Sequence, residues 1–251
     1  MEKSLIEIYN STFDKPPYIA KTKAFKPSSL GGKCMRKLFY SYTRTLPDFE
    51  FAIENKRIKL LGDAIHTMLA EGFREKKVLL DYYGADGHPK INYFTKKPDY
   101  EFPIEEASLE IKAKLDAVLL LDGEIWIGEY KSIKGTKFAE LKGPAPEHVI
   151  QANLYYFLLR NAIKENQFAH IKELKGYTEQ DVKGIKFIYY NKDNSQMKEY
   201  EITGDFDLFC ETLDKMDKIK THVAEKTLPD KAKEFCDYCE YRLKCVNNSI
   251  N

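Results

Sequence analysis

Residues 111–131 read IKAKLDAVLLLDGEIWIGEYK. Two apolar runs flank Asp122-Gly123, a pair that tolerates the left-handed backbone of a two-residue hairpin turn. With these as the loop, Leu121 faces Glu124, and counting outward sets Asp116 opposite Glu129. Opposite residues share a sheet face with Cβ atoms about 5 Å apart, and Lys131 points to the same face as Glu129. That face also carries Val118, Leu120, Ile125 and Ile127, while the other carries Ala117, Leu119, Leu121, Trp126 and Tyr130. Both are apolar, which predicts a hairpin covered by helices on each side. Two acids facing each other at the end of a buried hairpin repel and lose hydration unless a cation joins them. A divalent metal finds hard oxygen ligands in such a pair, and a lysine beside it suits orienting a water or stabilising charge on a phosphate. The plainer alternative is a Glu129–Lys131 pair at the solvent rim, with Asp116 bridged to Lys114 or Lys131. Glu-x-Lys alone is too common to decide; the turn and the register favour a site.

Outside this hairpin the periodicity becomes helical. Ile58, Leu61, Ile65 and Leu69 recur at helical spacing and predict a helix from about Ile53 to Phe73. A shorter helix is expected from Lys33 to about Thr45, ending before Leu46-Pro47, and Gly84, Gly87 and Pro89 mark turns in residues 78–97. Pro146 suits the first turn of a helix running to about Ile163. Gly184–Tyr190 and Met197–Ile202 read as a second hairpin around Lys192-Asp193-Asn194. Asp205 is placed to cap a last long helix that ends near Lys226, before Pro229. Helices flank strands on both sides in sequence, so the expected fold is α/β, in a single domain over residues 1–251.

Lys and Arg number 40 against 39 Asp and Glu, so overall charge announces no nucleic-acid partner. Phosphate binding needs only a local basic surface, and Lys33, Arg36 and Lys37, then Lys131, Lys134 and Lys137, are the candidates. No apolar run reaches the ~18 residues that span a bilayer, and the N-terminal MEKSLIEIYNSTFDKPPY lacks a signal-peptide layout. The expectation is a cytoplasmic protein with no membrane partner. No G-x-x-x-x-G-K-[ST] phosphate loop occurs, so no motor of that type is expected.

Cytosolic chains do not normally use cysteines for structural disulfides. Cys236, Cys239 and Cys245 form C-x2-C-x5-C near the end of the chain, and Cys34 supplies a fourth thiolate if the two ends meet. Such a set suits zinc or an iron–sulfur cluster, and spacing alone does not separate them. Cys210 lies in an amphipathic helix and reads as a small core residue.

Leu115-Asp116-Ala117 followed by Gly128-Glu129-Tyr130-Lys131-Ser132 resembles the D…ExK signature of PD-(D/E)xK nucleases, specifically their RecB-like branch. Gly62-Asp63-Ala64-Ile65-His66 is similar to that branch's helix bearing a histidine metal ligand. Gln151-Ala-Asn-Leu-Tyr155 is similar to its Q-x-x-x-Y motif, with both named residues on one helix face. Cys34 before Arg36-Lys37, with the closing C-x2-C-x5-C, resembles the iron–sulfur members of the branch, among them the CRISPR-adaptation nucleases of antiviral defence and viral relatives. Met35 departs from the proline often found there. The resemblance runs from about Ser28 to Cys245.

It implies a restriction-endonuclease-like mixed sheet flanked by helices, with a [4Fe–4S] cluster on Cys34, Cys236, Cys239 and Cys245 joining residues 28–46 to 229–245. It implies that His66, Asp116, Glu129 and the Tyr130 carbonyl bind one or two Mn2+ or Mg2+ ions, the histidine favouring Mn2+. Lys131 would position the attacking water, Gln151 and Tyr155 would support the site or touch DNA, and Arg36, Lys37 and Lys134 are expected on the DNA. The implied activity is metal-dependent exonuclease cleavage of single-stranded DNA by a metal-activated water, free-standing or beside a separate helicase or integrase. The rival is a DNA-binding module that keeps the fold, uses the cluster as a staple and is active only with a partner. Retention of Asp116, Glu129 and Lys131 together favours the enzyme.

Overall fold

The turn at the centre of the hairpin forms as the sequence predicts: Asp122 and Gly123 have φ of 51° and 81°, the two left-handed residues of a turn whose twist matches its strands. The computed structural model describes residues 4–13, 23–48, 52–92, 96–232, 236 and 239–248. In chain order, α1 (Leu5–Asn10), α2 (Pro27–Leu30), α3 (Met35–Tyr42) and α4 (Ile53–Glu75) precede β1 (Phe102–Glu106), β2 (Ile111–Leu115), β3 (Ala117–Leu121) and β4 (Glu124–Ile133). Then come α5 (Gly135–Glu140), α6 (Pro146–Lys164), β5 (Val182–Asn191), β6 (Met197–Ile202), α7 (Phe206–Ala224) and α8 (Arg242–Val246). The chain divides into two compact units, one of residues 1–23, 33–64 and 218–251, the other of residues 24–32 and 65–217.

The second unit holds a mixed sheet in the order β3-β4-β5-β6, with β4 and β5 parallel and the other pairs antiparallel. Parallel neighbours need a long crossover, and α5 and α6 supply it. β1 and β2 pair separately. Leu121 faces Glu124 and Ala117 faces Gly128, the predicted register. Ala117, Leu119 and Tyr130 pack against Ile65 and Leu69 of α4, with Phe73 and Trp126 at the margin. The opposite face, with Val118, Ile125, Ile127 and Glu129, is equally buried, and α6 packs on β4 and β5. Gly31, after α2, permits a close approach to α6, since a Cβ there would strike the Glu147 carbonyl. Asp205 caps α7, its Oδ1 accepting the Leu208 N–H at 3.0 Å.

In the first unit Leu38, Phe39 and Tyr40 of α3 are buried, and the Tyr40 ring lies 5.3 Å from that of Tyr241. The Arg36 guanidinium donates to the Pro229 carbonyl at 2.8 Å, the Cys245 carbonyl at 3.3 Å and Asn248 Oδ1 at 2.7 Å. Asp48 Oδ2 accepts the Leu243 and Lys244 N–H groups at 2.6 and 3.1 Å, opening α8. The apolar stripe expected along α4 is only partly used as core. Ile58 and Leu61 are 49% and 51% exposed, whereas Ile65 and Leu69 are buried. Cys210 is half-buried rather than core. No described helix is long and apolar enough to cross a membrane.

Arg36→Ala should cost about 2–3 kcal/mol by leaving two carbonyls without their donor. Chemical denaturation measures this, and an unchanged midpoint would show that the guanidinium bonds contribute nothing.

Candidate active site

Asp116 sits at the bend between β2 and β3. Its Oδ2 accepts the Tyr130 N–H of β4 at 2.9 Å, a side chain taking over where main-chain pairing stops. The expectation that Asp116 is itself a paired strand residue is corrected here: the ladder ends at Ala117 and Gly128, and the acid reaches the Glu129 strand through its carboxylate. On α4, His66 Nδ1 is 3.7 Å from Asp116 Oδ1, and its ring meets the Tyr130 ring edge-on at 5.8 Å.

Glu129 is wholly buried. Oε1 accepts from the Lys131 ammonium, and Oε2 has no partner. Burial first, then the charge of Asp116, push the Glu129 carboxyl up to about 8 against the pull of Lys131. Burial lowers Lys131, but the charges of Glu129 and Asp116 outweigh it and hold the ammonium above its ordinary range. Two ionised carboxylates and one ammonium would leave one negative charge uncompensated in a largely dry site. Lys131 Nζ also reaches Gln151 Oε1 at 3.4 Å, and Gln151 Nε2 donates to the Tyr155 hydroxyl at 3.0 Å. Both residues are buried on α6.

Among the described residues no three His, Cys, Asp or Glu side chains are already arranged around a common point as a metal set. The chemistry nevertheless fits a hard divalent cation: a buried carboxyl oxygen without a partner, and a second acid whose charge, with burial, disfavours ionising Glu129 unless a cation is present. Asp116 and Glu129 are the residues that could hold such an ion, with His66 at the edge.

His148 belongs to no motif of the sequence; it lies one turn before Gln151 on α6, and its Nδ1 is 2.8 Å from the Tyr189 hydroxyl. Tyr189 of β5 is the register partner of Lys131. The available signal was spacing: His148, Gln151 and Tyr155 fall at i, i+3 and i+7, one helix face.

Of the residues expected on DNA, Arg36 is corrected. It is 9% exposed, and its guanidinium is committed to Pro229, Cys245 and Asn248. Lys37 is half exposed and 3.6 Å from Glu240, and Lys134 is exposed just before α5. All five cysteines are free. Cys34, Cys236, Cys239 and Cys245 belong to the first unit, and burial raises the Cys239 thiol, with Glu240 and Cys34 adding to it. Asp237 and Tyr238, inside the C-x2-C motif, lie outside the described residues.

The chain belongs to the PD-(D/E)XK nuclease superfamily, whose family model matches residues 88–246. In fold it is similar to the crystal structure of SSO0001, at 15% identity and a TM-score of 0.53, over 98% of this chain and 99% of that one. An alkaline exonuclease (LHK-Exo) from Laribacter hongkongensis aligns at 11% identity and a TM-score of 0.45, over 91% of this chain and 96% of that one. No curated protein sequence matches the chain.

Asp116→Asn removes the charge facing Glu129 while keeping an oxygen to accept from Tyr130. It should raise the stability of chelator-treated protein by about 1 kcal/mol, seen as a higher melting temperature. A lower one would mean that the two carboxyls do not oppose each other in the folded chain.

Proposed function

We propose that this chain is a divalent-metal-dependent deoxyribonuclease, an exonuclease acting on single-stranded DNA. The observation that carries the reading is the wholly buried Glu129, with an unpartnered Oε2 and the Asp116 charge acting on it. Membership of the PD-(D/E)XK nuclease superfamily supports it independently. Asp116, Glu129 and His66 would hold the cation, with the Tyr130 carbonyl as a further ligand. Bound there, Mg2+ or Mn2+ supplies the Lewis-acid chemistry for phosphodiester hydrolysis. The Lys131 ammonium, fixed between Glu129 and Gln151, orients the attacking water and meets negative charge developing on the phosphate. Tyr155 holds Gln151 in that position. The single-strand and exonuclease preferences rest on the RecB-like set of His66, Asp116, Glu129-x-Lys131 and Gln151-x-x-x-Tyr155. Lys37 and Lys134, both exposed, are the cations we assign to the strand. The chain works either free-standing or beside a separate helicase or integrase, in CRISPR adaptation or a viral process.

We extend the reading to a [4Fe–4S] cluster on Cys34, Cys236, Cys239 and Cys245. Four free thiols in one compact unit are a donor set of the right chemistry, and the cluster would tie residues 28–46 to 229–245.

The test is single-stranded DNA labelled at either end, incubated with Mn2+, Mg2+ or chelator, with wild type beside Asp116→Ala. Metal-dependent cleavage should appear and fall at least 100-fold in the variant; full activity in Asp116→Ala would remove the site from this hairpin. For the cluster, anaerobically prepared Cys239→Ser should lose its iron and melt lower than wild type. Iron-free wild type, or unchanged iron and melting in the variant, would refute the four-cysteine assignment.

A further inference from the structure

His148 lies in the half-buried first turns of α6, before its buried stretch begins at Gln151, and among the described residues its ring has a hydrogen-bond partner on one edge only. Its Nδ1 lies 2.8 Å from the Tyr189 hydroxyl, whose oxygen already accepts the Ala145 N–H at 3.0 Å. Tyr189 is 1% exposed, and among the described residues its hydroxyl proton has no other acceptor than His148 Nδ1. A buried O–H without an acceptor is costly, so that proton goes to Nδ1. The imidazole then carries its single proton on Nε2, which makes no hydrogen bond among the described residues. Protonating both nitrogens would turn two donors against each other and add a cation near Lys131. Burial, then the charge of Lys131, push His148 down to about 4, and burial pushes Tyr189 up to about 12, so this arrangement holds at neutral pH. His148 is half-buried, leaving the ring partly open to a ligand.

We propose that His148 is a further DNA-contacting residue: its neutral Nε2–H donates to a non-bridging phosphate oxygen of the bound strand beside Lys131, with Tyr189 fixing the tautomer. The proposal rests on the nuclease reading above. A neutral donor suits this position because it adds a directed hydrogen bond to an anion without repelling the lysine next to it. Lys131 is already engaged by Glu129 and Gln151, so a phosphate gains a separate donor rather than competing for that one.

Two substitutions separate the edges of the ring. Asparagine keeps a polar group near Nδ1 and none at Nε2, whereas glutamine carries an amide N–H near the place of Nε2. The probe is a fluorescein-labelled oligothymidine with Ca2+ in place of the catalytic ion, read by anisotropy at fixed ionic strength. His148→Asn should weaken binding on the order of tenfold, and His148→Gln should stay within about threefold of wild type. The reverse order, or equal binding by all three, would show that His148 serves only Tyr189 and would overturn the proposal. In 15N-histidine-labelled wild type, Nδ1 should be unprotonated and the Nε2 resonance should move when oligothymidine is added. A protonated Nδ1 or an unmoved Nε2 would overturn it without any variant. Wild type that binds but does not cut with Mn2+ or Mg2+ would sink the nuclease reading alone, because binding judges His148 separately.

Discussion

A single main-chain donor, the Tyr130 N–H, holds the Asp116 carboxylate at 2.9 Å and thereby keeps an acid within electrostatic reach of the buried Glu129. The energetics of a sheet alone do not favour this. Facing like charges destabilise a hairpin, and burying either one costs several kcal/mol of hydration. Lys131 answers one of the two charges. The rest of the second unit keeps the residual charge in place: α4 and α6 cover the two faces, the crossover sets β5 beside β4, and the bend at Asp116 frees a carboxylate that a continuous strand would have directed elsewhere. A fold selected for stability alone would place an amide or an apolar residue at one of these positions. Local conflict of this kind concentrates at functional sites, where it is offset by the rest of the structure.

The hairpin was the most legible part of the sequence because its rules are local. Asp-Gly permits two left-handed residues, the side-chain period of two fixes the rest, and the division of Ala117, Leu119 and Tyr130 from Val118, Ile125 and Ile127 follows directly. The break at Asp116 was not legible, because it depends on a hydrogen bond to a residue fourteen positions away. The α4 stripe shows the limit of periodicity. Ile58 and Leu61 continue the pattern of Ile65 and Leu69, yet they are half exposed. A pattern states which face is apolar, not what covers it.

Charge runs are read less well than apolar ones. Arg36 and Lys37 are adjacent in a basic segment, but on a helix neighbouring residues point about 100° apart. One enters the interior of the first unit to bond carbonyls of the C-terminal segment, while the other stays half in solvent beside Glu240. Arginine suits the interior role, since its planar fork satisfies several oxygens at once and stays charged when buried. Sequence supplied the proximity of Arg36 to Cys34 but not this consequence: the bond to the Cys245 carbonyl sets part of the C-terminal segment against α3. The four cysteines therefore belong to a unit that has its own polar ties in Arg36 and Asp48.

Helix α6 makes the same point for polar residues. Asn153 exchanges hydrogen bonds with the Asp205 main chain at 2.9 and 2.8 Å, Gln151 is taken up by Tyr155 and Lys131, and His148 by Tyr189. Buried polar side chains need partners, and Gln151 and Asn153 are matched, while His148 is matched at Nδ1. Against that background the unmatched atoms become informative. In the described part of the second unit, the buried side-chain oxygens without a partner are Glu129 Oε2 and the Tyr130 hydroxyl, on adjacent residues of the strand that carries the acids. An unpartnered carboxylate oxygen beside a second acid carries both a desolvation cost and a repulsion, and it is on this oxygen that the proposed cation site rests.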